Sequence, residues 1–213
     1  MPTAHTDAHW AAYNDAQAGG EVRPLCGEVI ARAGDGAGHT AIDFGCGAGV
    51  ETRALLRAGW HVHAIDAAPG TRQRVLTTTE VSDPARLTIE VSDFHDLAEL
   101  PAVDLVYAGY SLHFVHPLAF PRVWALLRAS LLPGAWLAVN FLGERDSWAP
   151  DPEMTFLSEA SARALLEGLD LVSFTERDEE GAAYSGPKHW HVFDVIARRP
   201  LPKTSIPVGH DRS

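Results

Sequence analysis

The chain has 213 residues, 46% hydrophobic and 21% charged, enough to bury one full core and ordinary for a globular protein. Lys plus Arg is 17 and Asp plus Glu is 28, a formal charge of −11, which suits a phosphate backbone poorly and argues against a nucleic-acid substrate. Cys26 and Cys46 are too few for a disulfide framework or a zinc-thiolate cluster, no apolar run reaches bilayer length, and Met1–Asp7 lacks a charged-then-apolar leader; the expectation is a cytoplasmic monomer or homodimer with no metal, membrane or nucleic-acid partner.

Trp10-Ala-Ala-Tyr13 is a short amphipathic segment before the break at Gly19-Gly20. Arg23-Pro-Leu25 opens a helix to about Ala33, with Leu25, Val29 and Ile30 on one face. After the 34–38 loop comes Ala41-Ile-Asp-Phe-Gly-Cys-Gly-Ala-Gly-Val50. It begins as a strand, breaks into glycine at positions 45, 47 and 49, and runs into a helix from Glu51 to Ala58, capped by Gly59. A strand, a glycine turn and a helix N-terminus make a cradle for a nucleotide-like ligand, because backbone N–H groups approach it closely. The second strand, Trp60–Ile65, ends on Asp66, roughly 20 residues past the turn, where a ribose-binding carboxylate is expected. An NAD-dependent oxidoreductase would share these features, but its fingerprint calls for Gly or Ala where Val50 stands.

Thr71–Thr78 is a weak helix, its threonines being poor helix formers. Arg86–Val91 is a third strand ending in Ser92-Asp93-Phe94, and the apolar run Val103–Ala108 is a central fourth, followed by Gly109-Tyr-Ser-Leu-His-Phe114. A helix over 117–130, a turn at Leu132–Ala135 and a fifth strand, Trp136–Leu142, follow. The alternation predicts a doubly wound, mostly parallel α/β sheet with ligands beyond the strand carboxyl ends, where the 43–49 stretch, Asp66, Asp93 and Tyr107–Gly109 all fall. Residues 143–154 form a long polar loop carrying Trp148, a candidate lid. A helix ending at Gly168, a strand at Leu171–Arg177, an acidic turn at Asp178–Gly181 and a last strand at Lys188–Ala197 complete a seven-stranded sheet with an antiparallel edge hairpin. Residues 1–198 are expected to form one domain, with an N-terminal helical cover over about 7–33; 199–213, with three prolines and few apolar residues, read as a disordered tail.

Asp43-x-Gly45-x-Gly47-x-Gly49 followed by Asp66 resembles motif I of class I S-adenosylmethionine-dependent methyltransferases. Trp10-x-x-Tyr13 with Arg23-Pro24, Phe141-Leu-Gly-Glu-Arg-Asp-Ser-Trp148, Asp151-x-Glu-Met-Thr-Phe156 and Lys188-His-Trp-His-Val-Phe193 resemble the small single-domain subgroup related to tellurite-resistance and thiol or chalcogen methyltransferases. The resemblance runs from about Trp10 to Arg199. It implies a Rossmann-like methyltransferase fold, S-adenosyl-L-methionine as cofactor with S-adenosyl-L-homocysteine as product, and in-line methyl transfer to a small-molecule thiol, chalcogen or hydroxyl. It implies cofactor contacts at Asp43, Gly45, Cys46, Gly47, Gly49, Asp66, Ala67 and Ala108, at Asp93 and Phe94 for the adenine, and at Tyr13 and Arg23 for the methionine carboxylate. Asp93 is also readable as an Asx-turn, and Tyr13 and Arg23 as a packed and a solvated side chain. Asn14 stands where many relatives have a second Tyr.

A thiolate acceptor needs no base, whereas a hydroxyl needs one within hydrogen-bond reach. His113 and Tyr110, just beyond the fourth strand, are the catalytic candidates, and Tyr110, His113, Trp148, His189 and His191 the candidate substrate walls. His189 and His191, two apart, share a strand face, also the minimal geometry of a two-His metal site, although no third ligand is placed beside them. The Asn or Asp, Pro-Pro and aromatic run of amino-methylating nucleic-acid enzymes is absent after the fourth strand, which reads Tyr107-Ala-Gly-Tyr110. Since a soft nucleophile requires no catalytic side chain, a non-catalytic S-adenosylmethionine-binding module stays open as an alternative.

Overall fold

Strand β1 (Thr40–Phe44) explains why two helical layers enclose the sheet. Ile42 and Phe44 face one apolar cluster and Ala41 the other, all closed to solvent, so helices must cover both sides. The computed structural model describes residues 7–81 and 83–202. One layer holds α2 (Pro24–Ala33), α3 (Val50–Arg57) and α4 (Thr71–Thr79), packed through Leu25, Val29, Leu55 and Val75. The other holds α5 (Phe120–Ser130) and α6 (Glu159–Leu165), packed through Val123, Leu127 and Ala162. A further helix, α1 (Asp7–Gln17), precedes both layers.

The remaining strands are β2 (His61–Asp66), β3 (Leu87–Val91), β4 (Val103–Ala108), β5 (Leu131–Leu142), β6 (Asp170–Ala183) and β7 (Gly186–Arg198). The seven-stranded order is β3-β2-β1-β4-β5-β7-β6, parallel through β5, with β7 antiparallel to both neighbours. This is the doubly wound sheet with an antiparallel edge hairpin expected above. The chain winds outward from β1 in both directions, and the crevice between β1 and β4 is where such sheets bind ligands.

Two local expectations fail. The turn at 132–135 is a bulge inside β5: Leu131 pairs with Val103 and Trp136 with Leu105, and left-handed Gly134 donates its N–H to the Arg199 carbonyl at 2.9 Å. The acidic turn at 178–181 is strand instead. Asp178 and Glu180 keep their ladder places opposite His191 and His189, and the His189 ring bonds both carboxylates. Cross-strand charge pairing thus offsets the poor strand propensity of the acidic run. The real turn is Tyr184-Ser185. The hairpin consequently outruns the sheet: β5 pairs with β7 only as far as Leu142–Val192, and residues 186–191 continue the ladder with β6, while Gly143 and Ser147 of the following loop donate to the His191 and His189 carbonyls at 2.7 and 3.1 Å. That arm stands beyond the strand carboxyl ends. Residues 203–213, most of the expected tail, lie outside the described residues.

Candidate active site

The glycine turn after β1 is pinned sideways, with Gly45 and Cys46 donating their N–H groups to the Ile65 carbonyl of β2 at 2.8 and 3.0 Å. Gly45 needs its left-handed backbone and its missing side chain, because a Cβ there would lie 2.2 Å from the Ser111 Cβ. Asp66 closes the cradle from β2. Its carboxylate accepts from Gly47 N at 2.9 Å and from Ala68 N at 2.8 Å, and further lone pairs face the cleft it lines. The cleft is about 330 Å³ and follows the carboxyl edge of the sheet, from Asp93, Phe94 and His95 beyond β3, past Asp66–Ala68 and the glycine turn, to Gly109–Ser111 beyond β4. Phe94 stacks on Phe44 with centroids 4.0 Å apart. The Asp93 carboxylate takes the His95 N–H at 2.8 Å, the Asx geometry anticipated as an alternative, while still lining the cleft. Burial pushes its pKa up, but the bonds to His95 outweigh this and hold it below the usual carboxylate range.

Near β4 stands Arg23, ahead of α2. Its guanidinium meets Glu51 at 3.1 Å and donates to the Tyr13 hydroxyl at 3.3 Å. Burial alone would lower its pKa, but Glu51 leads the interactions that raise it, so the guanidinium stays charged. Glu51, in the first turn of α3, lines the cleft, a role that sequence reading missed although it stands two residues after Gly49. Carboxylates from Glu21, Glu51, Asp66 and Asp93 thus line a cleft whose guanidinium is Arg23. Such a field suits a ligand carrying sulfonium and ammonium charges together with one carboxylate, and opposes a pyrophosphate. The donors, the glycine cradle and the volume fit S-adenosylmethionine.

A second chamber of about 260 Å³ opens from the first, with Trp10, Tyr13, Gln17, Arg23, Tyr110 and Phe114 lining both. Its other walls are His113, Trp148, Trp190 and the hairpin tip Ala182–Ser185. Tyr110 is held in a left-handed backbone (φ 54°), its N–H donating to Asn140 Oδ1 at 3.1 Å and its hydroxyl accepting from Arg177 Nη2 at 2.5 Å. Burial raises the Tyr110 pKa and Arg177 only partly offsets it, so the hydroxyl stays protonated at neutral pH. Trp148 is anchored by its loop. The Asp146 carboxylate accepts from Trp148 N at 2.9 Å, His191 N at 3.3 Å and the Lys188 ammonium, which lies 4.0 Å from the Trp148 ring centroid and 4.3 Å from that of Trp190.

The sites expected from sequence separate here. Tyr13, Arg23, Gly45, Cys46, Gly47, Asp66, Ala67, Asp93 and Phe94 line the first cleft, and Tyr110, His113 and Trp148 the second chamber. Asp43, Gly49 and Ala108 line neither. Asp43 is 1% exposed beneath the turn, accepting from Thr52 Oγ1 at 2.6 Å, and burial followed by Glu51 pushes it up to about 7. Gly49 caps α3 against Val75, and Ala108 packs in the core. Cys46 is buried with its thiol pushed well above the usual range, which makes it wall and no nucleophile.

His189 and His191 do share a face, but the opposite one from the chamber. The His189 ring bonds Asp178 at 2.7 Å and Glu180 at 2.8 Å, while His191 takes the Arg145 N–H on Nδ1 at 3.0 Å and meets Glu176 through Nε2 at 2.9 Å. Glu176, Asp178 and His191 could together approach a cation, but Arg145 already bridges the two carboxylates. Strand alternation gives the chamber wall to Trp190 instead. Asn14 sits over the glycine turn, its Oδ1 2.9 Å from where a Gly47 Cβ would be, so the position where relatives carry a second Tyr faces the first cleft.

Residues 41–134 match the family model described as a methyltransferase domain. No curated protein matches the sequence. Among solved structures, TehB from Haemophilus influenzae superposes with a TM-score of 0.72 at 13% identity over 84% of this chain, which spans only 62% of that protein. The N-methyltransferase NodS from Bradyrhizobium japonicum, in complex with S-adenosyl-l-homocysteine, gives 0.64 at 16% identity over 90% of this chain and 98% of its own. The 1,6-didemethyltoxoflavin-N1-methyltransferase of Burkholderia thailandensis gives 0.64 at 20% identity over 94% and 92%. At these identities the superpositions speak for the fold. The family match falls on the strands that carry the glycine turn and the carboxylates beyond them, so residues 41–134 resemble a methyltransferase domain and the chain shares the fold of S-adenosylmethionine-dependent methyltransferases.

Proposed function

We propose that this enzyme methylates a small-molecule acceptor held in the aromatic chamber, at a thiol, chalcogen or hydroxyl nucleophile. The observation that carries this reading is the junction of an acid-lined cleft with an aromatic chamber through shared walls. When bound, S-adenosylmethionine supplies an electrophilic methyl carbon on a sulfonium. In this reading Asp66 accepts from the ribose hydroxyls, Phe94 covers the base with Asp93 beside it, and Arg23, steadied by Glu51 and Tyr13, takes the amino-acid carboxylate. Tyr110 and Phe114, at the junction, orient the nucleophile toward the methyl group. Alignment of that kind is the main contribution a site makes to a displacement at carbon. A thiolate or chalcogenide needs no base. For a hydroxyl acceptor His113, which lines the chamber, takes the proton, since the Tyr110 oxygen stays protonated and is bound to Arg177. A chamber of this volume and aromatic lining favours a free small molecule over a nucleic-acid strand, in line with the net charge of −11. No helix among the described residues is long and apolar enough to cross a membrane.

Calorimetric titration with S-adenosylmethionine, S-adenosylhomocysteine and NAD, on wild type and Asp66→Ala, tests the cofactor half. Micromolar binding of the two sulfur compounds is expected, weakened about tenfold or more in the variant by loss of charge-assisted hydrogen bonds. Binding of NAD instead, or of none, would sink it. The acceptor half is tested by S-adenosylhomocysteine release with thiols, chalcogen oxyanions and phenols. No turnover with any of them, alongside intact cofactor binding, would favour a non-catalytic binding module.

A further inference from the structure

The acceptor chamber is an aromatic cage whose attraction for a cation is already taken up by the chain itself. Trp148 and Trp190 stand with centroids 5.8 Å apart, and the Lys188 ammonium occupies one face of each. Lys188 does not line the chamber, and its side chain is 1% exposed. An open cage of tryptophan and tyrosine normally recruits a ligand cation onto its ring faces. Here the resident ammonium occupies a face of both indoles and draws ring electron density toward itself, and Asp146 balances its charge, so the wall offers a ligand cation little of the attraction of an open cage. No Asp or Glu is among the described lining residues to hold a ligand cation, and the guanidinium that lines the chamber, Arg23, is paired with Glu51. What the walls offer is offset and edge-on stacking: the Tyr110 and Trp190 rings meet at 78° with centroids 5.6 Å apart, and those of Tyr13 and Tyr184 at 82° and 5.7 Å. An apolar cavity of about 150 Å³ holds a benzene, so about 260 Å³ takes one or two fused rings.

Resting on the methyl-transfer reading above, we propose that the acceptor is a planar aromatic or heteroaromatic molecule of one or two rings, neutral or anionic, methylated at a sulfur or oxygen on its edge. An aryl thiol gives its proton to water before entering. A lone pair on the thiolate sulfur then forms the new S–CH₃ bond as the methyl–sulfonium bond breaks, and that bond's electron pair stays on the departing sulfur as a neutral thioether. A phenolic acceptor passes its proton to the His113 ring, and its oxygen lone pair forms the corresponding O–CH₃ bond.

The test uses wild-type protein saturated with S-adenosylhomocysteine and two ligands of the same two-ring outline, neutral 2-naphthol and cationic N-methylquinolinium, compared by calorimetry. 2-Naphthol is expected to bind at least about tenfold more tightly. Equal or tighter binding of the cation would overturn the proposal, as would no binding of 2-naphthol. Failure of S-adenosylhomocysteine itself to bind would count against the methyl-transfer reading instead. In the paired variant Lys188→Met with Asp146→Asn, the preference should shrink to about threefold or less. If that variant binds S-adenosylhomocysteine normally and keeps the full preference, Lys188 is not its source. If it does not fold, the wild-type comparison still decides.

Discussion

Replacing Lys188 by Met isolates the buried ion pair that backs the chamber. Methionine preserves length and apolar contact with the two tryptophans while removing the charge. The Lys188 and Asp146 side chains are 1% and 0% exposed, so neither charge is repaid by water. Breaking a buried pair from one side costs about 3–5 kcal/mol, because the other charge stays behind. Asp146 retains the Trp148 and His191 N–H groups, which places Lys188→Met near the lower end, about 3 kcal/mol. Lost contact of the ammonium with the two rings adds about 1 kcal/mol. Adding Asp146→Asn removes the stranded charge, so the double variant should lose less than the two single losses together, with a coupling energy of about 2–3 kcal/mol. Urea unfolding of the four proteins at pH 7, by linear extrapolation, measures it. A coupling energy below about 0.5 kcal/mol would refute the buried ion pair as a structural element.

Asp43 gives a pH-dependent test. Its folded-state value, raised from 3.8 to about 7, means that the native state holds a proton the unfolded chain releases. Stability contributed by the protonated form is present below about pH 4 and lost as pH rises toward 7, by up to about 4 kcal/mol at 1.36 kcal/mol per unit. Wild type should therefore lose stability relative to Asp43→Asn across that window in urea titrations, and parallel curves would contradict the shift. Gly45→Ala puts a Cβ 2.2 Å from Ser111 at φ +84°, and should cost about 2–4 kcal/mol with a matching drop in melting temperature and weaker S-adenosylhomocysteine binding. His113→Gln should lower turnover of a phenolic acceptor by about 10²–10⁴ while sparing a thiol acceptor. Equal losses on both acceptors would make His113 a structural wall.

Strand alternation, the glycine turn and the carboxylates after β2 and β3 were legible because each is a local signal: side-chain period, turn chemistry and spacing along one chain segment. They determined the doubly wound fold and most of the first cleft. Asp43, Gly49 and Ala108, which belong to the motif and its neighbouring strand end, line neither cavity. Sequence reading passed over Glu51, because nothing local reveals that Arg23 folds back onto it. The second chamber was decided by tertiary structure. Its walls come from α1, from the segment after β4, from the 143–154 loop and from the hairpin, which long-range pairing brings together. Which face of β7 turns toward the chamber is a one-residue choice, and it gave the wall to Trp190 and the outer charge network to His189 and His191. Alternation fixes that two residues share a face, but only packing against the rest of the sheet decides which face that is.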